Sequence, residues 1–180
     1  RNADELAYKR DVLDWRNTML VEQPNGDFAV TIARQFLFDC HHHALLEALI
    51  KAGDRDITAI AAKALKEVAY HRRHSGEWLI RLGDGTEESH DRAQAALDQL
   101  WGYTHELFEP DEVDLAASAL GVGIDPSTLK APWNEMVNTV LDEATLRRPD
   151  DSWSVRGGRQ GIHSEHLGFI LAEMQFLPRA

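Results

Sequence analysis

Two stretches of this chain carry side chains that can bind metal: Asp39 in Phe38-Asp39-Cys40-His41-His42-His43, and Glu67, His71 and His74 in Glu67-Val68-Ala69-Tyr70-His71-Arg72-Arg73-His74. Carboxylate and imidazole together suit a divalent transition metal. Glu67, His71 and His74 stand at i, i+4 and i+7, so on a helix they share one ridge. Arg72 and Arg73 lie among them and repel a cation, and a solvated helix face accounts for the spacing equally well. Asp39 and His42 have a D-x-x-H spacing that also puts two ligands on one face, although chance explains it too. His41-His42-His43 cannot converge on one ion, because successive helical residues diverge by about 100°.

Asp39 shares its helix face with Ile32, Phe36, His43 and Leu46, and His71 falls between Ala64, Val68, Ser75 and Trp78. Both are therefore expected to point into a core. A buried carboxylate needs a metal, a cation or hydrogen-bond donors. The simplest expectation is an Asp39–His71 hydrogen bond or another satisfied core polar pair, with a metal as the alternative.

Other chemistry is sparse. His163-Ser164-Glu165-His166 opens the last helical stretch, where Glu165 suits the positive end of the helix dipole, and a capping or docking role is expected. Arg156, Gly157-Gly158 and Arg159 precede a helix start and resemble a phosphate site, but Asp150 and Asp151 weaken that reading. The sequence contains no Gly-x-Ser-x-Gly, P-loop or Cys-x-x-Cys. Cys40, the single cysteine, has no activating base nearby. One cysteine excludes an intrachain disulfide and fits a reducing cytoplasm.

The elements that must position these groups read as helices throughout. Apolar spacing predicts helices over about 3–20, 28–51, 56–82, 86–108, 111–120, 132–147 and 162–177. Asp27 is the expected N-cap of the second and Thr86 opens the fourth, while Gly53-Asp54, Gly83-Asp84-Gly85 and Pro110 are stops. The clearest loop runs from Pro149 to Gly161. With no strand-like alternation and no repeat, residues 1–180 are expected to form one all-α domain, an antiparallel bundle with short connections. The formal net charge of −11 argues against nucleic acid and against a polybasic membrane patch, and no apolar run is long enough to span a bilayer.

Three segments carry a resemblance to a known family: Leu20–Ala29 (LVEQPNGDFA), Ile80–Ser89 (IRLGDGTEES) and Gly157–Gly168 (GGRQGIHSEHLG). Together they resemble the C-type subunits of the bacterial phenylacetyl-CoA epoxidases, multicomponent monooxygenases that epoxidise the aromatic ring in phenylacetate catabolism. The resemblance runs along essentially the whole chain. It implies a ferritin-like helical bundle and a structural, non-catalytic role beside a homologous catalytic A subunit, which holds the di-iron centre and binds the CoA thioester. It also implies two further N-terminal helices, so the chain is expected to be truncated at its start. The apolar face this leaves open is expected to be covered by the absent helix, a second copy or the catalytic subunit. In catalytic relatives one core helix gives a carboxylate and a later one a Glu-x-x-His pair. Asp39 matches the first and His71 the histidine, while Val68 falls where the bridging glutamate belongs.

No catalytic, cofactor or metal residue is therefore expected in this chain; Asp39, Val68 and His71 are vestigial positions, and di-iron is expected in the partner. Glu22, Asn25, Asp27, His163, Glu165 and His166 are the candidate contacts with that partner, being polar, loop-adjacent and inside the resembling segments. Turn and cap geometry explains them equally. Homodimerisation is compatible with the sequence. The rival reading is an autonomous ferritin-like metal-dependent oxidoreductase using Asp39, Glu67 and His71 with His42 or His74, and Val68 counts against it.

Overall fold

The computed structural model describes residues 2–180, and every regular element in them is helical. In chain order these are α1 (Ala3–Tyr8), α2 (Phe28–Leu49), α3 (Arg55–Gly83), α4 (Glu87–Leu100), α5 (Glu112–Ala119), α6 (Lys130–Glu143) and α7 (Glu165–Arg179), with short 3-10 turns between them. The architecture is the expected all-α, ferritin-like bundle.

Local chemistry sets the long helices. Asp27 caps α2 by accepting from the Val30 N–H, and Asp54 caps α3 through the N–H groups of Asp56 and Ile57. Thr86 and Ser89 form a reciprocal capping box on α4. Five residues join α2 to α3, so the two run antiparallel and pack along each other as the centre of the fold. From α2 come Ile32, Ala33, Phe36, Leu37, Cys40 and Ala44; Leu79 adds to them from α3 and Ala93, Leu97 and Leu100 from α4. α6 closes the other side with Trp133, Val137 and Leu141. The Trp133 indole N–H donates to the Leu37 carbonyl at 2.9 Å, and its ring packs on Trp101 and Phe108 with centroids 5.5 and 5.2 Å away.

Four expectations change. The helix expected over 132–147 ends at Glu143. The helix expected over 3–20 stops at Tyr8, after which the chain is irregular apart from two 3-10 turns. Tertiary partners take the backbone: Gln175 and Arg179 of α7 donate to the carbonyls of Arg10 and Tyr8, which competes with helix continuation. The helix expected over 86–108 ends at Leu100 and tightens into 3-10 turns, with the Trp153 ring packed against Gly102 where any Cβ would collide. The last helix starts at Glu165, because His163 and Ser164 are drawn into a buried hydrogen-bond cluster.

Candidate functional site

Asp39 is shut inside the α2–α3 contact at 2 % exposure. Its Oδ1 accepts from the Gln35 side-chain amide at 2.7 Å, one turn back on α2, and its Oδ2 accepts from the Ser75 hydroxyl of α3 at 2.8 Å. The satisfied polar pair exists, but its partner is Ser75. His71, expected in the core, is exposed, as are Glu67 and His74. The reason is angular: the buried residues of α3 are Ala61, Val68, Ser75, Gly76, Leu79 and Gly83, and this stripe turns His71 outward. Burial pushes the Asp39 carboxyl up; the Gln35 and Ser75 hydrogen bonds, then the nearby His71 and His42, pull it partly back.

These residues do not fit a di-iron centre. Both Asp39 oxygens already accept hydrogen bonds, Val68 is buried with no donor atom, and Glu67 faces solvent. Among the described residues, no three His, Cys, Asp or Glu side chains converge on a common ion position. Nor is Cys40 an alternative reactive group, because it is fully buried and burial pushes its thiol up.

A second polar centre joins the two ends of the chain. Glu22, 1 % exposed, receives four hydrogen bonds: from Asn17 Nδ2 (2.8 Å) and His163 Nδ1 (2.7 Å) on one oxygen, and from the Ser164 N–H and hydroxyl (both 2.8 Å) on the other. His163 Nε2 lies 3.1 Å from the Trp15 carbonyl, so the ring is held between that backbone acceptor and the Glu22 carboxyl. Beside it the buried Glu106 accepts from the N–H groups of Met19 and Gly158. Burial pushes the Glu106 carboxyl up, opposed by those two backbone donors. Gly158 is required there: a Cβ would collide with the Asn17 carbonyl.

This corrects the surface reading of Glu22 and His163, whose side chains face each other inside the protein. Of the other candidates, Asp27 is the α2 cap and pairs with Arg92 at 3.3 Å, while Asn25 and Glu165 are exposed and His166 is half-buried. Glu106 escaped sequence reasoning, although an acid inside the bulky run Trp101–Phe108 was a usable signal. The basic stretch before α7 is not open to phosphate either. Arg159 pairs with Asp111 and Asp114 at 2.8 and 2.5 Å, and Arg156 with Glu109 at 3.0 Å.

A cavity of about 480 Å³ lies between α2 and the 107–129 segment and is lined mainly by apolar groups such as Phe38, Leu45, Leu49 and Ile124. Some of its polar groups are held by neighbours, whereas His41 Nδ1 is buried with no hydrogen-bond partner among the described residues. His41 Nε2 faces the Leu107 carbonyl at 3.1 Å, and Arg16 donates to the carbonyls of Leu13 and Trp15. Burial lowers the His41 pKa to about 4, so this imidazole is neutral at physiological pH. No described helix is long and apolar enough to cross a membrane.

Known proteins resemble this chain over its full length. The family described as Phenylacetic acid catabolic protein matches residues 1–180. The C-type subunit of the 1,2-phenylacetyl-CoA epoxidase of Escherichia coli (strain K12) is 49 % identical over 176 residues, which cover 98 % of this chain and 71 % of that protein. An identity of this size along nearly the whole chain, on an all-helical bundle, places the chain in the phenylacetic acid catabolic protein family.

Proposed function

We propose that this chain is a structural, non-catalytic subunit of a multicomponent di-iron monooxygenase that epoxidises the ring of phenylacetyl-CoA in aerobic phenylacetate catabolism. In this reading it binds and supports a catalytic A subunit, and the di-iron centre and the CoA thioester reside there. The family and the relative's name supply the pathway and the assembly. The observation that carries the non-catalytic role is the closed Asp39 position: both carboxylate oxygens are taken by Gln35 and Ser75, and the buried Val68, at the position the resemblance gives to the bridging glutamate, has no atom that could ligate a metal. A ferritin-like core sealed this way keeps the shape of the bundle without its metal ligands, which suits a partner for a homologous, metal-bearing bundle.

The test is iron content of the purified full-length protein, alone and after co-expression with the catalytic subunit. The expected result is iron far below one atom per chain alone, and a stable complex with about two irons per catalytic chain. Two irons per chain in the protein alone would sink the reading and favour an autonomous oxidase.

A further inference from the structure

Asn25-Gly26 is the one place in the chain where an asparagine precedes a glycine; the other asparagines precede Ala3, Thr18, Glu135 and Thr139. With no Cβ beside it, a glycine nitrogen can approach a neighbouring carbonyl carbon closely. The pair is exposed, on the turn before α2. Gly26 has a φ of +58°, and no backbone hydrogen bond holds its N–H among the described residues. A Cβ there would press on Val30 at 3.0 Å, so packing also demands glycine.

Arg34 reaches back from α2 to this asparagine. Its Nη2 donates to Asn25 Oδ1 at 2.6 Å and its Nη1 to the Gln23 carbonyl. Both acceptors are neutral, and no carboxylate pairs with this half-buried guanidinium among the described residues. Thr31 Oγ1 donates to the Asn25 backbone carbonyl at 2.8 Å. Two residues of α2 therefore hold Asn25 and leave Gly26 as the hinge.

We propose that Asn25-Gly26 is a self-modification site, at which Arg34 promotes conversion of the Asn25 amide to a carboxylate and then pairs with it. This does not depend on the scaffold reading. The Gly26 nitrogen gives its proton to solvent and bonds to Asn25 Cγ. Negative charge develops on Oδ1, against the Arg34 guanidinium, and a positioned donor stabilises such an oxyanion. The Cγ–Nδ2 bond breaks, and Nδ2 leaves as ammonia with a proton from solvent, closing a cyclic imide. Water opens the imide at either carbonyl, giving aspartate or isoaspartate. The net change consumes one water and releases one ammonium, with no oxidant or reductant. Aspartate supplies the counter-ion that Arg34 lacks, so a neutral acceptor is replaced by a charged one. Isoaspartate instead adds a backbone methylene just before Asp27, the α2 cap.

Two other asparagines separate the contribution of the guanidinium from that of the glycine. Asn134 and Asn138 accept from Arg148 at 2.9 and 2.7 Å. Both lie inside α6, where the next N–H is committed to the helix ladder. They are expected to stay amides.

The experiment incubates the full-length protein for several days near neutral pH and follows each asparagine peptide by mass spectrometry, with ammonium release and enzymatic isoaspartyl methylation as further readouts. Expected are progressive conversion at Asn25, ammonium in equal amount, and intact Asn134 and Asn138. Arg34→Gln should slow conversion by about tenfold, and Arg34→Lys, which keeps the charge, should slow it less. Circular dichroism checks that both variants keep the wild-type helix content. Asn25 unchanged in the folded wild type, under conditions that convert it after urea unfolding, overturns the proposal whatever the variants do. Conversion in folded Arg34→Gln as fast as in the wild type overturns the role of Arg34. Asn25→Asp should raise the melting temperature at low salt and lose the gain at high salt; no gain at low salt overturns the pairing.

Discussion

Glu22 and Asp39 are carboxylates of nearly equal burial held by unlike means. Glu22 gathers four hydrogen bonds from three residues, and three of the four come from the far end of the chain, one of them a backbone N–H at the start of α7. It also faces an imidazole and the positive end of a helix dipole. Asp39 has two uncharged side-chain donors, one from its own helix and one from the helix opposite, and no formal ion pair. The residue whose spacing suggested chemistry is therefore the more weakly supported, and the one that reads as a surface contact is the better anchored. A carboxylate that ties distant segments acts as a structural joint, while one held by two neutral donors between neighbouring helices secures a single contact.

The largest way to break this contrast is Glu22→Ala. It leaves His163, Ser164 and Asn17 without their acceptor, and stripping the acceptor from several buried donors at once costs about 3 kcal/mol or more. For a chain of this size that lowers the melting temperature by roughly 10 °C. Hydrogen exchange should rise at residues 15–23 and 157–175 and stay unchanged in α2 and α3; uniform exchange would refute Glu22 as a local joint.

The face of α2 opposite Asp39 can be probed through His41, which points to Leu107 and Phe108. Its folded pKa of about 4 lies below the ordinary 6.5, so the unfolded chain takes up the proton first. Stability is complete above pH 6.5 and falls as pH drops from there towards 4, by up to ~3 kcal/mol. Asp39, pushed up, works in the opposite direction, so the comparison must be between proteins. His41→Phe should lose this acid-side decline in denaturant titrations at pH 7 and 4.5. A decline as steep as in the wild type would place its origin elsewhere.

Glu106→Ala strips the acceptor from the Met19 and Gly158 N–H groups and should cost about 2 kcal/mol by urea unfolding, the usual penalty for buried donors left unpaired. The smallest effect belongs to Asp39→Asn. It removes a buried charge and keeps an acceptor for Gln35, so stability at pH 7 should change by less than about 1 kcal/mol, in either direction. A loss comparable to that of Glu22→Ala would erase the distinction between the two sites.

Much of the fold was legible because its long helices carry their own punctuation. Asp27 and Thr86 are caps, and Gly53-Asp54 and Gly83 mark stops, so α2 and α3 end within about two residues of expectation, whereas α4 ends at Leu100, well before Pro110. The buried side of α2 followed from periodicity. What misled was tertiary. Residues 9–18 have helix-like apolar spacing, but α7 claims carbonyls at their start, and no local signal encodes a donor more than 160 residues away. The same distance hid the Glu22–His163 pair, since each residue sits in a polar turn that looks solvated alone. His71 shows the limit of angular reading: a helix of 29 residues accumulates enough rotation that a position central to one contact faces water at the next.

The joint between Glu22 and His163 spans 141 positions of sequence. On a ribosome adding about 5–20 residues per second, Met19, Leu20 and Glu22 emerge on the order of ten seconds before their partners exist. Through that interval the early segment is a nascent arm without a dock, and the α2–α3 hairpin can form ahead of it. Synthesis through Ser164, not of the early segment itself, then decides when this joint closes, and a chain stopped short of Gly157 would leave an unfastened acidic arm for quality-control machinery to find.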